Sequence, residues 1–555
     1  MKRLFKRMVT GAVLAGGVAM CLAAMAQNHA SATAKLYQIA GTVTNAVTEE
    51  PVDRATVSLV DEENRETLQT VETADGGRFA LAPVIAGKYG LRVSRRNYLT
   101  QFFNEHDEFS SAIVTGEGQD TEHIPFKLKP GATVRGIVTD DAGEPVQQAE
   151  VILMHKTYNS GLGERRTKSI SGVTDDTGGF EFWDLQPGTY ELAVKATPWF
   201  ALHPSLNGNG ASAEETSAAA ALDVAYPVTF YDSTTEEAAA TPIVLAAGDR
   251  PEMNIALHAV PAVHLVVRTG EREGAGGARY METPMLRQTV LGEEEYVAPG
   301  AVKPGPAGSG WVELAGVAPG HYSVMEGNPP RVTEMDARGS GIQEVDTAAG
   351  VPTASMDIAL RMADGSALPQ PIELTLISET EWQSRNPVRG TNESEMRFEA
   401  VTPGTWTLVA KSGETALAVE AIQDSRGLRA DDRIEVKSHA LSLVAMLAAG
   451  NTRVQGFAHK DGKPMAGAMI VLVPENPAGH WAMFRRDQSD SDGSFSLRGV
   501  APGRYTVVAI EDGWELNWAT PEVIGRYLKG GAAVTVTSLS GKVVSLPDAV
   551  AVQSR

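Results

Sequence analysis

Pro187-Gly188-Thr189-Tyr190-Glu191-Leu192-Ala193-Val194 joins a tight turn to an alternating strand, and variants of it recur along the chain. The others begin Ala86-Gly87-Lys88-Tyr89, Pro319-Gly320-His321-Tyr322, Pro403-Gly404-Thr405-Trp406 and Pro502-Gly503-Arg504-Tyr505. Pro presets φ for a turn, and Gly takes the position that other residues resist. The aromatic then opens a strand in which apolar residues alternate with others. The recurrence, at roughly one hundred residues, is too long for a solenoid repeat and equals one small domain. The pattern predicts an all-β chain built as a tandem array.

Working outward, the 555 residues accommodate about three to five domains, and the repeats favour five. Apolar content of 43% and charged content of 21% place the chain among globular proteins. At the N-terminus, Lys2, Arg3, Lys6 and Arg7 precede a small, apolar run over 8–24 and a small-x-small site, Ala24-Met25-Ala26. This reads as a signal peptide over 1–26 that directs the chain to the periplasm, the cell envelope or the exterior. The alternatives are an uncleaved anchor or lipid attachment at Cys21, although Met20 is bulky for the latter. Cys21 is the sole cysteine, so cleavage after Ala26 leaves neither disulfide nor thiol chemistry. Without the leader's four cations, and with no acid lost, the formal charge of −21 becomes −25. That argues against nucleic acid and anionic membranes as partners. Beyond the leader no transmembrane stretch is evident.

The first module starts near Tyr37, and its order of signals repeats in the second and fifth. In the second, Gly136-Ile137-Val138-Thr139-Asp140 leads to Gly143-Glu144-Pro145-Val146 and Ala149-Glu150-Val151. A hairpin turn, Thr174-Asp175-Asp176-Thr177-Gly178-Gly179-Phe180, then precedes Tyr190 by ten residues. In the fifth, Ser489-Asp490-Ser491-Asp492-Gly493-Ser494-Phe495 stands ten residues before Tyr505. The modules are set at 36–130, 131–259, 260–354, 355–447 and 448–548, with the third and fourth degenerate. Two stretches, 204–222 in the second module and 300–310 in the third, read as loop insertions for want of apolar periodicity.

This order resembles the carboxypeptidase regulatory-like family, the prealbumin-like sandwich that follows the catalytic domain of some metallocarboxypeptidases. It is also similar to Cna B-type surface repeats and to the wider carbohydrate-binding-like fold. The resemblance implies a seven-strand Greek-key β-sandwich per module. It implies no reaction, because such domains serve as accessories, spacers or binding modules.

Candidate chemistry is sparse. None of the eleven histidines has Glu three residues on, as a metallocarboxypeptidase ligand pair requires, and zincin and nucleophile-elbow motifs are absent. Asp487, Asp490 and Asp492 suggest a calcium loop, but the spacing fails the EF-hand register, and turn capping accounts for the acids. His258 and His264 lack a third ligand for zinc. Some Cna B-type repeats close a Lys–Asn isopeptide bond, but no suitable pair stands out here. Exposed aromatics could stack on sugar, the candidates being Trp199, Tyr226, Phe230, Tyr231, Trp514 and Trp518, beside Phe200 and Trp481. Packing is the competing account of all of them. No catalytic residue, cofactor or metal ligand is assigned. The expectation is an exported, non-enzymatic binding or spacer protein with an unknown protein or polysaccharide partner. Carbohydrate binding through the aromatics is the alternative. An enzyme would require a cleft that joins acids and histidines from different modules.

Overall fold

The computed structural model describes residues 35–555, apart from 159–163, 205–218, 270, 274–278, 282, 306–308, 328, 379–383, 386, 393, 414, 478–482 and 538–541. The leader, Cys21, Trp481 and most of the loop expected at 204–222 lie outside the described residues. The rest is strand, turn and a few helical turns.

Five sandwiches follow one plan. In the first, Ala40–Asn45 pairs antiparallel with Arg78–Ala80, and Thr56–Asp61 lies between Thr67–Glu72 and Gly87–Ser94 in the facing sheet. The closing strand runs parallel to the opening strand every time. Ile124–Leu128 lies beside Ala40–Asn45, Ile255–Ala256 beside Ala132–Thr139, and Gly341–Val345 beside Val263–Arg268. Leu441–Ala449 lies beside Ala354–Met362, and Val543–Ser545 and Val550–Gln553 beside Thr452–Lys460. Alternation sets each core: Val134, Val151, Phe180, Tyr190 and Leu192 face inward in the second module, and each sandwich has its own cluster.

The recurring turn has a specific job. Each aromatic buries its ring, and the ring's one polar hydrogen bonds the carbonyl four residues upstream. Tyr89 donates to Ile85, Tyr190 to Gln186, Tyr322 to Ala318, Trp406 to Thr402 and Tyr505 to Ala501, at 2.8–3.1 Å. Burial pushes the Tyr190 hydroxyl up to about 12, which keeps it a neutral donor. The hairpin turn is equally regular. Thr174 Oγ1 accepts from Ala149 N–H and donates to the Val146 carbonyl, and Thr73 and Ser489 repeat the arrangement. The last turn glycine, Gly77, Gly178 or Gly493, has positive φ. A Cβ there would stand 2.2–2.7 Å from the carbonyl of Val43, Val138 or Ala458, so no side chain fits.

Two expectations change. In the fourth and fifth modules the two sheets are continuous, because Thr415–Asp424 pairs with both Gly404–Ser412 and Leu441–Ala449, and Val550–Gln553 bridges Thr452–Lys460 and Gly503–Ile510. Residues 301–304, read as part of a loop insertion, form a strand antiparallel to Trp311–Val317. The Gly- and Pro-rich composition hid a short edge strand whose backbone is paired on one side.

Tyr190→Phe is expected to lower the unfolding free energy by about 1 kcal/mol, one hydrogen bond, and Tyr190→Ala by about 3–5 kcal/mol. Denaturant titration of the whole chain followed by tyrosine and tryptophan fluorescence measures both. No loss in Tyr190→Phe would mean that the ring, not its donor, does the anchoring.

Candidate functional site

Most of the candidate aromatics are packing groups. Phe230 fills an apolar seam with Ile152, Met154, Val290 and Leu291, between the second and third modules. Tyr226 belongs to the second core, and Tyr231 packs against it. Trp514 is 9% exposed and Trp518 2%. Both lie on the outer face of the fifth module with Phe484, Ile524 and Phe109 of the first module. The strands beneath are apolar at every position, Met469-Ile470-Val471-Leu472-Val473, so both faces had to be covered. That run was the available signal that the following tryptophans would fold back as a lid. Trp199 is different: it is 83% exposed and meets Phe200 edge-on.

The Asp-rich turn of the fifth module grips the first. Asp490 Oδ1 accepts the Ala112 N–H at 2.8 Å, and Oδ2 takes Lys88 Nζ at 2.6 Å. Ser491 donates its N–H to the Ala112 carbonyl, and its Oγ accepts from Val114. Gln488 donates to the Asn104 carbonyl and Ser111, while His106 stacks on Trp514 at 5.1 Å. Arg486 is paired with Asp107 at 3.1 Å and lies over Phe109 and Trp518. The carboxylate considered for calcium is therefore spent on an inter-module clasp, in which the first module docks on the fifth. Nearby Asp487 accepts the Ser496 N–H at 2.5 Å, and burial pushes its carboxyl up to about 7.

A cleft lies between the second and third modules. It has a volume of about 730 Å³ and is lined by Gln148, Lys195, Trp199, His203, Gln288 and Tyr296, among others. His203 connects it to a buried chain of acids and histidines. His203 Nδ1 lies 3.0 Å from Asp223 Oδ1, and Asp223 Oδ2 lies 2.6 Å from His264 Nε2. His264 Nδ1 is 2.6 Å from Glu313 Oε1. His264 is 2% exposed and Glu313 is fully buried.

Strand geometry explains the placement. In Val263–Arg268, Val263, Leu265 and Val267 enter the core, so His264 faces out; Glu313 does the same between Val312 and Leu314 on the paired strand. The segment Asp223–Ala225 covers that face, with Val224–Ala225 pairing to Val260–Pro261 and Asp223 O accepting from Ala262. Lys303 donates to the His203 carbonyl. Gly300 and Gly316 lie against the imidazole; a Cβ on either would come within 2.5 Å of Nε2.

Of the two strand histidines singled out in the sequence, His264 belongs to this chain. His258 instead pairs with Asp141 on the surface, and its hydrogen bond holds the Asp141 carboxyl low. His203, Asp223 and Glu313 escaped sequence reading. The available signal was a charged residue at Glu313 inside an apolar strand. Among the described residues, no group of three or more His, Cys, Asp or Glu has the arrangement of a metal site. No described helix is long and apolar enough to cross a membrane.

Residues 38–128 and 133–199 match the carboxypeptidase regulatory-like domain family, which gives the first two modules their class. No curated protein matches the chain. Among solved structures it is similar to the Bacillus anthracis TIE protein, at 11% identity over 76% of each chain with a TM-score of 0.17. It is also similar to a streptococcal ancillary pilin, at 11% identity over 56% of this chain and 99% of that one, TM-score 0.20. A third is the shaft pilin SpaA of Lactobacillus rhamnosus GG, at 11% over 40% and 97%, TM-score 0.19. Scores this low add nothing to the functional argument.

Two outcomes test the clasp. Arg486→Ala removes a buried cation from Asp107 and from the rings of Phe109, Trp514 and Trp518, and is expected to weaken docking by about 2–4 kcal/mol. Small-angle scattering should then show a larger radius of gyration; an unchanged radius would mean that the clasp is dispensable. Asp487 binds its proton more tightly folded than unfolded, so its contribution is greatest below the unfolded value and is lost as pH rises towards 7. Asp487→Asn is therefore expected to stabilise the chain at pH 8 by about 2 kcal/mol, a full shift at about 1.4 kcal/mol per unit being reduced by partial hydration. The gain should vanish near pH 4, as thermal melts across pH would show.

Proposed function

We propose that this chain is an exported, non-enzymatic binding protein of the bacterial envelope or exterior, and that the cleft between its second and third modules takes a glycan. The observation that carries this reading is Trp199, a solvent-facing indole on the rim of a cleft whose partly apolar lining also carries Gln148, Gln288, His203 and ion-paired Lys195. A sugar ring stacks on an aromatic face and offers hydroxyls to polar groups around it. The clasp favours binding over spacing. A spacer works by holding its ends apart, whereas here the first module folds back on the fifth.

The His203–Asp223 pair favours a second reading, an enzyme, because it has the form of a base and its orienting acid. A base alone is not a reaction, and among the described residues no hydroxyl, thiol or amine is bonded to His203 as a nucleophile would be.

The test is retardation of the mature chain from Gln27 in native gels cast with xylan, β-glucan, pectin or galactomannan, together with a glycan array. One glycan class should be retained, Trp199→Ala should abolish retention, and Trp518→Ala should lower stability while leaving retention intact. Shortening of the retained glycan would replace binding with catalysis. No retention by any glycan would sink the carbohydrate reading and leave a protein-binding array.

A further inference from the structure

Protons in the buried chain are countable. A carboxylate oxygen brings none, so each of the three short contacts needs one held between nitrogen and oxygen. His203 therefore donates from Nδ1 to Asp223, while Asp223 is in turn tied to His264, and His264 to Glu313. Glu313 Oε2 is buried with no hydrogen-bond partner among the described residues. An unpaired buried oxygen next to a shared-proton chain costs stability, which makes plain adhesion between modules a poor account of the cluster. Apolar residues, as in the adjoining Phe230 seam, would join the modules at lower cost.

The effect of the chain on the cleft is to fix one tautomer. A neutral His203 that donates from Nδ1 to Asp223 has its lone pair on Nε2. Nε2 has no partner among the described residues, and His203 lines the cleft. Gly300 and Gly316 lie against the Nε2 side of the ring, where their lack of a side chain leaves room, and Lys303 pins its backbone.

We propose that His203 Nε2 is the acceptor that selects the ligand of this cleft, taking a hydrogen bond from a hydroxyl of a sugar stacked on Trp199, with Asp223, His264 and Glu313 as positioning residues. This rests on the glycan reading and names the group that discriminates within it. Ligands whose stacked ring lacks a hydroxyl at the matching edge are rejected, because a desolvated acceptor is left unpaired. The charged and titratable groups packed around the ring are Asp223, His264, Glu313 and Lys303, and farther along the cleft Lys195 with Glu150 and Glu295.

The experiment uses the full mature chain labelled with ¹⁵N-histidine, and as probe the hexasaccharide of whichever polysaccharide retards the chain in gels. Without ligand, the His203 resonances should show a protonated Nδ1 and a bare Nε2; a protonated Nε2 overturns the proposal. Adding hexasaccharide should move the Nε2 resonance of His203. His203→Ala should weaken binding about tenfold, the loss of one good hydrogen bond. Asp223→Asn should leave thermal stability closer to wild type than His264→Ala, yet change the ¹⁵N resonances of His203 and weaken binding. If Trp199→Ala abolishes binding while His203→Ala and the Nε2 resonance leave it untouched, the glycan reading stands and the role of His203 falls. If no polysaccharide is retained, both fall.

Discussion

Five times along this chain a buried ring donates its one polar hydrogen to a carbonyl four residues before it. The bond spans the turn that feeds the inner strand of each sandwich, so it fixes where that strand enters and which residues face inward. Shifting the strand by one residue would turn the whole apolar set out to solvent. An aromatic fixes that position better than an aliphatic residue because it supplies both buried area and a directional donor. Trp406 shows that the constraint is physical rather than a preference for tyrosine: an indole N–H reaches Thr402 O at 2.9 Å in the same way.

With the strands so fixed, the outer faces become free to differ, and there the modules acquire their individual properties. In the second module the hairpin turn caps itself, Asp175 Oδ1 accepting from Thr177 and Gly179. In the fifth the same position, Asp490, reaches across to Ala112 and Lys88 instead. One turn geometry thus serves closure in one copy and docking in another. The difference needs no change of backbone, only a neighbour within reach.

Much of this architecture was legible in the chain. Turn chemistry, alternation and the repeated order of signals located the anchoring aromatics and the Asp-rich hairpins. The third and fourth modules were harder because Trp311 and Phe398 stand where the other modules keep a longer motif, although Tyr322 and Trp406 still make their bonds. What stayed illegible was everything set by one module lying on another. Trp514 and Trp518 are as aromatic as Trp199, and only the apolar run Met469–Val473, some forty residues earlier, sets them apart. Their burial follows from the fifth module's doubly apolar strands and from Phe109, just over four hundred residues away. His203 and Glu313 come together for the same reason, since each is an isolated polar residue until Asp223 and His264 connect them.

That division also explains where a site can arise in such a fold. Within a single sandwich the core is apolar and filled, and the turns satisfy their own polar groups. Polar side chains can be buried without loss of the core only on outer faces covered by a neighbour, where the burial comes from docking. The chain from His203 to Glu313 occupies such a face. It lies behind the alternation of Val263, Leu265 and Val267, which holds the strand in place however the outward position is used. A titratable chain could not be accommodated at Leu265, but His264, one residue away, is free to join one. The module junction therefore permits chemistry that a single module excludes, and the exposed Trp199 at its rim gives that chemistry a surface on which to act.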